Sequence, residues 1–122
     1  MTDPAVVREA TRKSGVVWVH VDGHPPRAVW HVWDGDADYV LHGGGEQVVP
    51  GLAEAAQAEV SVRAKSNGAG ILTWLADVTT VDPADEQWAT VEPLLRKARL
   101  HAEPDPSARW RRTATLSRLS PR

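Results

Sequence analysis

The stretch HGGGEQVVPGL, residues 42–52, is where this chain comes nearest to a recognisable chemical device. Consecutive glycines follow an apolar segment and precede a helix-like one, an arrangement in which bare backbone N–H groups can cradle a phosphate. The spacing matches neither common phosphate motif. Val48 stands where the dinucleotide pattern G-x-G-x-x-G needs its last glycine, and no Lys-Ser/Thr follows as in a P-loop. The glycines run instead into Glu46 and Gln47. Three histidines, His20, His31 and His42, recur eleven residues apart and have the side chains to hold zinc or haem. Tight turns between their strands would set His20 opposite Ala28, on the sheet face away from His31, so a shared metal site is not expected. Neighboured by Trp30 and Trp33, His31 is the polar group of most interest on a predicted barrel wall.

Two further clusters have simpler readings. Asp34, Asp36 and Asp38 are spaced like the first ligands of a calcium loop. Tyr39 and Gly45 then occupy the positions that need glycine and glutamate, so a solvated hairpin turn is the better reading. In ARWRRT, residues 108–113, three arginines surround Trp110. Such a group can clamp a phosphate or stack a base, but in an acidic chain it reads first as a solvated run leading into a strand. No Ser/His/Asp triad and no forced carboxylate pair is present, so no catalytic residue is assigned.

Composition sets the frame for these groups. A chain of 122 residues with 42% hydrophobic and 25% charged residues is expected to be one globular domain, residues 1–122. It has no cysteine, which excludes disulfides, thiolate metal sites and cysteine catalysis. The formal charge of −2 argues against a dedicated nucleic-acid binder. No apolar run suits a membrane span, and MTDPAVVREATRKSG lacks the core of a secretion signal; a cytoplasmic location is expected. Six tryptophans and no phenylalanine suggest that some indoles line a pocket or interface, where the N–H can find a partner.

The elements that must position these residues follow from local pattern. Asp3-Pro4 opens a helix that Gly15 closes. VVWVHV (16–21), RAVWHVW (27–33) and DYVLH (38–42) read as an antiparallel meander, with Ala28, Trp30 and Val32 on one face of its middle strand and Val29, His31 and Trp33 on the other. PGLAEAAQA (50–58) reads as a short helix. EVSVRAK (59–65) and ILTWLADVTTV (71–81) are strands. Asp82-Pro83 starts a helix expected to break near residues 90–93, because Pro93 removes an internal hydrogen bond. EPDPS (103–107) is a loop and TATLSRL (113–119) a last strand. The sum is mainly β with helices: a six-stranded antiparallel barrel, which leaves no open edges.

In that order the elements resemble the pyridoxamine 5′-phosphate oxidase-like split barrels, a family of flavin- and deazaflavin-binding proteins. SGVVWVHVDGHPP is similar to the family's first strand and turn. RAVWHVWDGDADYVLHGGGEQVVPGLAEA resembles its second and third strands, phosphate loop and short helix. VSVRAK, ILTWLADVTTVDPADEQW and SRLSP resemble the remaining strands and the start of the next helix. The resemblance implies a split barrel carrying FMN or a deazaflavin nucleotide across strands two and three, at a homodimer interface. The cofactor wall would then be residues 28–31, with Val29, Trp30 and His31, and the strand end with Leu41 and His42. Gly43, Gly44 and Gln47 would form the phosphate loop, with cations from Arg27, Arg63, Lys65 or the arginines of residues 109–112 of a partner subunit. Where the family has a serine and two basic residues, this chain has Glu46, Gln47 and Val48. That removes two charge-assisted bonds worth about 1.5–3 kcal/mol each. Three functions therefore stand: a flavin- or deazaflavin-dependent oxidoreductase; a cofactor-less or other-ligand descendant with a structural or interaction role; and haem binding through His31 or His42.

Overall fold

In the computed structural model, residues 3–64, 70–99 and 106–122 are described. Helix α1 (Pro4–Lys13) begins as expected, with the Asp3 carboxylate accepting from the Ala5 N–H at 2.8 Å. It is followed by β1 (Val16–His20), β2 (Arg27–Trp30), β3 (Val32–Asp34), β4 (Ala37–His42), a 3₁₀ turn (Leu52–Glu54), β5 (Gln57–Ala64), β6 (Gly70–Val81), α2 (Glu86–Ala98), α3 (Ser107–Thr113) and β7 (Thr115–Pro121).

The strands form one antiparallel sheet of seven, not the expected six, in the order β2-β1-β5-β6-β7-β4-β3. The extra strand arises at His31. Residues 27–34 do not pair along their length with one neighbour: β2 lies against β1, whereas β3 lies against β4 at the opposite end of the order. Only His31 separates those two edge strands in the chain, so the sheet has to curl until its edges lie side by side. The single expected strand is thus split between two ladders, and the sheet curls as a split barrel does. The register of the first hairpin also differs from expectation: Trp18, not His20, faces Ala28. His20 remains on the opposite face from His31, since buried Val17 and Val19 alternate with it.

Two cores follow from the pleat. Val17, Val19, Val29, Val40, Val60, Val62, Trp74, Val78 and Leu119 fill the inside of the curl, and α1 inserts Val7 there. The Trp74 indole N–H donates to the Thr11 hydroxyl of α1 at 3.1 Å. The second core packs Tyr39, Leu41 and Leu116 against Trp88, Val91 and Leu95 of α2 and Trp110 of α3. The helices therefore cover the outside of β4 and β7, and β4 is buried on both faces. Middle-strand alternation held: Val29 and Trp33 join the inner core, Trp30 and Val32 the outer one. The tryptophans divide: Trp74, Trp88 and Trp110 are 4% exposed or less, whereas Trp33 lines a surface groove, in keeping with the expectation for some of the six. Only Trp18 is well exposed, with Trp30 and Trp33 half-buried.

The helices differ in detail from their sequence signals. Asp82 forms a local turn with the Ala84 N–H, and Asp85 caps α2 by accepting from Gln87. The helix then runs through Pro93. Pro93 and Ala89, the residue whose carbonyl loses its partner, are both exposed, so the interruption is tolerated where water can replace the bond. The expected helix over 50–58 is only the 3₁₀ turn, because Ala58 and Val60 alternate into the inner core and draw residues from 57 onward into β5. Residues 107–113 form α3 rather than a run into the last strand. Trp110, 0% exposed, anchors that helix.

Candidate functional site

The glycine loop leaves β4 at Gly43. Gly43, Gly44 and Gly45 have φ of 74°, 58° and 87°, a left-handed run that only glycine adopts without strain. The Gly43 N–H donates to the Gln47 carbonyl at 2.8 Å, and the Glu46 N–H to the Gly43 carbonyl at 3.0 Å. Gly44 is also pressed against the end of α3: a Cβ there would lie 2.6 Å from the Thr113 carbonyl carbon and oxygen. The glycines thus curl the loop tightly and let α3 sit on it.

Glu46, which the sequence resemblance aligns with a phosphate-gripping serine, has a side chain only 1% exposed. Arg109 of α3 donates through Nη2 to Glu46 Oε2 at 2.8 Å and through Nη1 to the Gly44 carbonyl at 2.7 Å. Arg99, just past α2, donates through Nε to Glu46 Oε1. Burial alone would raise the Glu46 pKa, but the bonds from Arg99 and Arg109 outweigh it and hold the carboxyl below its ordinary value. An ionised carboxylate therefore sits between two guanidinium groups, a geometry in which a phosphate oxygen pair would be equally at home. The arginine was foreseen as a contribution from a partner subunit; Arg109 makes the contact within its own chain.

Gln47 is bound to backbone, not to ligand space. Its Oε1 accepts from the Trp30 N–H at 2.7 Å, and its Nε2 donates to the carbonyls of Trp30 at 3.0 Å and Leu41 at 3.1 Å. The amide bridges the end of β2 to β4 where the middle strand changes partners. His31 is also internal: Nε2 lies 2.7 Å from the Ser14 carbonyl and Nδ1 2.6 Å from Asp38 Oδ1. A carbonyl only accepts, so Nε2 carries a proton. Burial pulls the His31 pKa down, yet the bond to Asp38 and its charge outweigh burial and place it above 6.5. Burial also raises Asp38, whose Oδ2 is buried without a hydrogen-bond partner. The pair holds its shared proton between Nδ1 and Oδ1. His42 faces Ser117 Oγ at 2.8 Å, and burial holds its pKa below the ordinary 6.5.

Of the other expected site residues, Val29 belongs to the inner core and Trp30 packs on the outer one. Arg27 and Arg63 are exposed on β2 and β5, opposite Val19 and Ile71. Lys65 lies outside the described residues. Sequence reasoning did not find Arg99, Asp38 or Thr113 as parts of the site. Asp38 carried a usable signal: in the hairpin it faces Trp33, which shares a strand face with His31. Arg99 carried none, since nothing local ties the end of α2 to the loop. Among the described residues no group of three or more His, Asp and Glu side chains could hold a metal ion.

No family model matches the chain, and no curated protein does. Solved structures do. A protein assigned as a pyridoxamine 5′-phosphate oxidase from Listeria innocua is 18% identical, over 96% of this chain and 88% of that one, with a TM-score of 0.58. An F420 reductase is 17% identical, over 94% and 92%, with a TM-score of 0.63. The haem storage protein HutZ from Vibrio cholerae is 15% identical, over 100% and 92%, with a TM-score of 0.65. At such identities the likeness is one of fold, and the fold is the split barrel of pyridoxamine 5′-phosphate oxidase-like proteins.

Proposed function

We propose that this chain is a split-barrel binding module that pairs with a second copy of itself and does not seat a nucleotide phosphate at its glycine loop. The observation that carries this reading is the Glu46 clamp: the two arginines near the loop already hold the chain's own carboxylate. An incoming phosphate would have to displace Glu46 or lie against its negative charge. Gln47 has both ends of its amide committed to backbone, so it offers the phosphate nothing in compensation.

Self-association is supported by the uncovered half of the barrel. The helices shield β4 and β7, but the outer face of β1, β5 and β6 exposes Val16 (50%), Trp18 (52%), Ile71 (71%) and Leu75 (42%). The Ser61 and Thr73 hydroxyls, bonded to each other, lie between them, and Glu59 and Arg63 of β5, opposite Leu75 and Ile71, add charge to the same face. A patch of this kind on a small protein marks an interface.

A second reading keeps the flavin or deazaflavin nucleotide and an oxidoreductase activity. It is favoured by the fold shared with an F420 reductase and by the exposed Trp18 indole, on which a planar ring can stack. Haem ligation through His31 or His42 has less support, because the imidazole contacts to Asp38, Ser14 and Ser117 would have to be given up. The absorbance spectrum of the purified protein, recorded alone and after adding FMN and then haem, separates the three. We expect no flavin band and no Soret band. A yellow preparation that retains FMN through gel filtration overturns the proposal in favour of the oxidoreductase.

A further inference from the structure

A concave surface lies at the β3 edge of the sheet, where the ends of α1 and α2 meet it. A groove of about 390 Å³ runs between the last turns of α1 and α2, with His31, Val32 and Trp33 along its floor. Its apolar wall is Leu94 of α2, 37% exposed, with Trp33. Arg12 of α1 and Lys97 of α2 supply the charge, and no carboxylate is among its described lining residues. The groove is shallow and open to solvent, so it suits a ligand that lies flat along it with its charged group at the rim.

We propose that this groove binds a small organic anion with a flat apolar body, such as an aromatic carboxylate or sulfonate. The two cations stand on different elements and converge on one apolar slot. That arrangement fits an anion whose ring lies on Trp33 and Leu94 while its charged group meets Lys97 and Arg12. Arg12 already bonds Glu9 at 2.8 Å on the exposed side of α1, so it adds charge to the slot while Lys97 makes the closer contact. The Trp33 indole is fixed for this role: its N–H donates to the Gly35 carbonyl at 2.9 Å, and its ring meets Trp74 edge-on at 6.3 Å. His31 beneath is held by Asp38 and Ser14, giving the slot a rigid floor. The proposal is independent of whether the outer sheet face dimerises or the loop takes a phosphate.

The test uses 1-anilinonaphthalene-8-sulfonate, a flat anion that fluoresces when shielded from water, beside its uncharged analogue N-phenyl-1-naphthylamine. The wild-type chain should bind the sulfonate saturably and more tightly than the neutral dye. Lys97→Gln should weaken the sulfonate about threefold to fivefold, the worth of an exposed charge contact, and leave the neutral dye unchanged. Leu94→Asp should abolish binding of both. Trp18→Thr, on the distant outer face, should change neither. Equal affinity for the two dyes, or loss of signal in Trp18→Thr but not in Lys97→Gln, overturns the proposal; in that case the two cations serve only the C-terminal ends of their helices.

Discussion

His31 and His42 are both buried imidazoles, and their surroundings drive them in opposite directions. Asp38 holds His31 above its ordinary pKa of 6.5, whereas burial holds His42 below it. A raised histidine contributes stability that is fully present below 6.5 and is lost as pH rises through its folded pKa. A depressed one contributes stability present above 6.5 and lost as pH falls. We therefore expect His31→Gln to flatten the fall in unfolding free energy as pH rises above 6.5, and His42→Gln to flatten the fall as pH drops below 6.5. Chemical denaturation over a pH series reads both; a His31→Gln profile as steep above pH 6.5 as the wild type would contradict a stabilising pair with Asp38. Glu46 acts lower still, its contribution being lost only as pH falls beneath the ordinary glutamate value of 4.5.

At the scale of elements, the glycine loop is a joint between β4 and α3, and two substitutions separate its terms. Gly43 and Gly44 share a left-handed backbone, but only Gly44 faces Thr113 within contact distance. Gly43→Ala should cost about 1–2 kcal/mol from φ strain alone. Gly44→Ala should cost clearly more in the same thermal melt, because α3 must move as well. Gln47→Ala should cost about 1–3 kcal/mol, since it leaves the Trp30 N–H and two carbonyls without partners, with faster amide exchange at Trp30 as the local sign. Much of this arrangement was legible in the sequence. The Asp3-Pro4 start, the Asp-Gly hairpin and the alternation of Val29, His31 and Trp33 are local signals, and the elements they mark formed. The break at His31 was not legible, because pairing β2 with β1 and β3 with β4 is decided by residues far along the chain. Nor was α3, whose seven residues depend on burying Trp110 beside Arg111 and Glu92, which pair at 3.0 Å. Pro93 misled for a related reason: a proline's penalty depends on whether its helix face meets water.

For the whole molecule, helices cover one half of the curled sheet and leave the other open, with Val16, Trp18, Ile71 and Leu75 exposed among Glu59, Arg63 and hydroxyl side chains. Trp18→Glu places a charge at the centre of that open face, and we expect it to convert a dimer into a monomer in sedimentation velocity without loss of fold. A wild-type chain that sediments as a monomer at high concentration would contradict that use of the face. Among the described residues no helix is long and apolar enough to cross a membrane. The central claim is that Glu46 stands in for a phosphate between Arg99 and Arg109. Calorimetric titration with FMN and with riboflavin, which differ only by the phosphate, tests it most directly. We expect the wild type to show no preference for FMN, and Glu46→Gln to gain a preference of about tenfold or more as the arginines are released to a dianion. Tight stoichiometric FMN binding by the wild type, lost when the phosphate is removed, would contradict the claim.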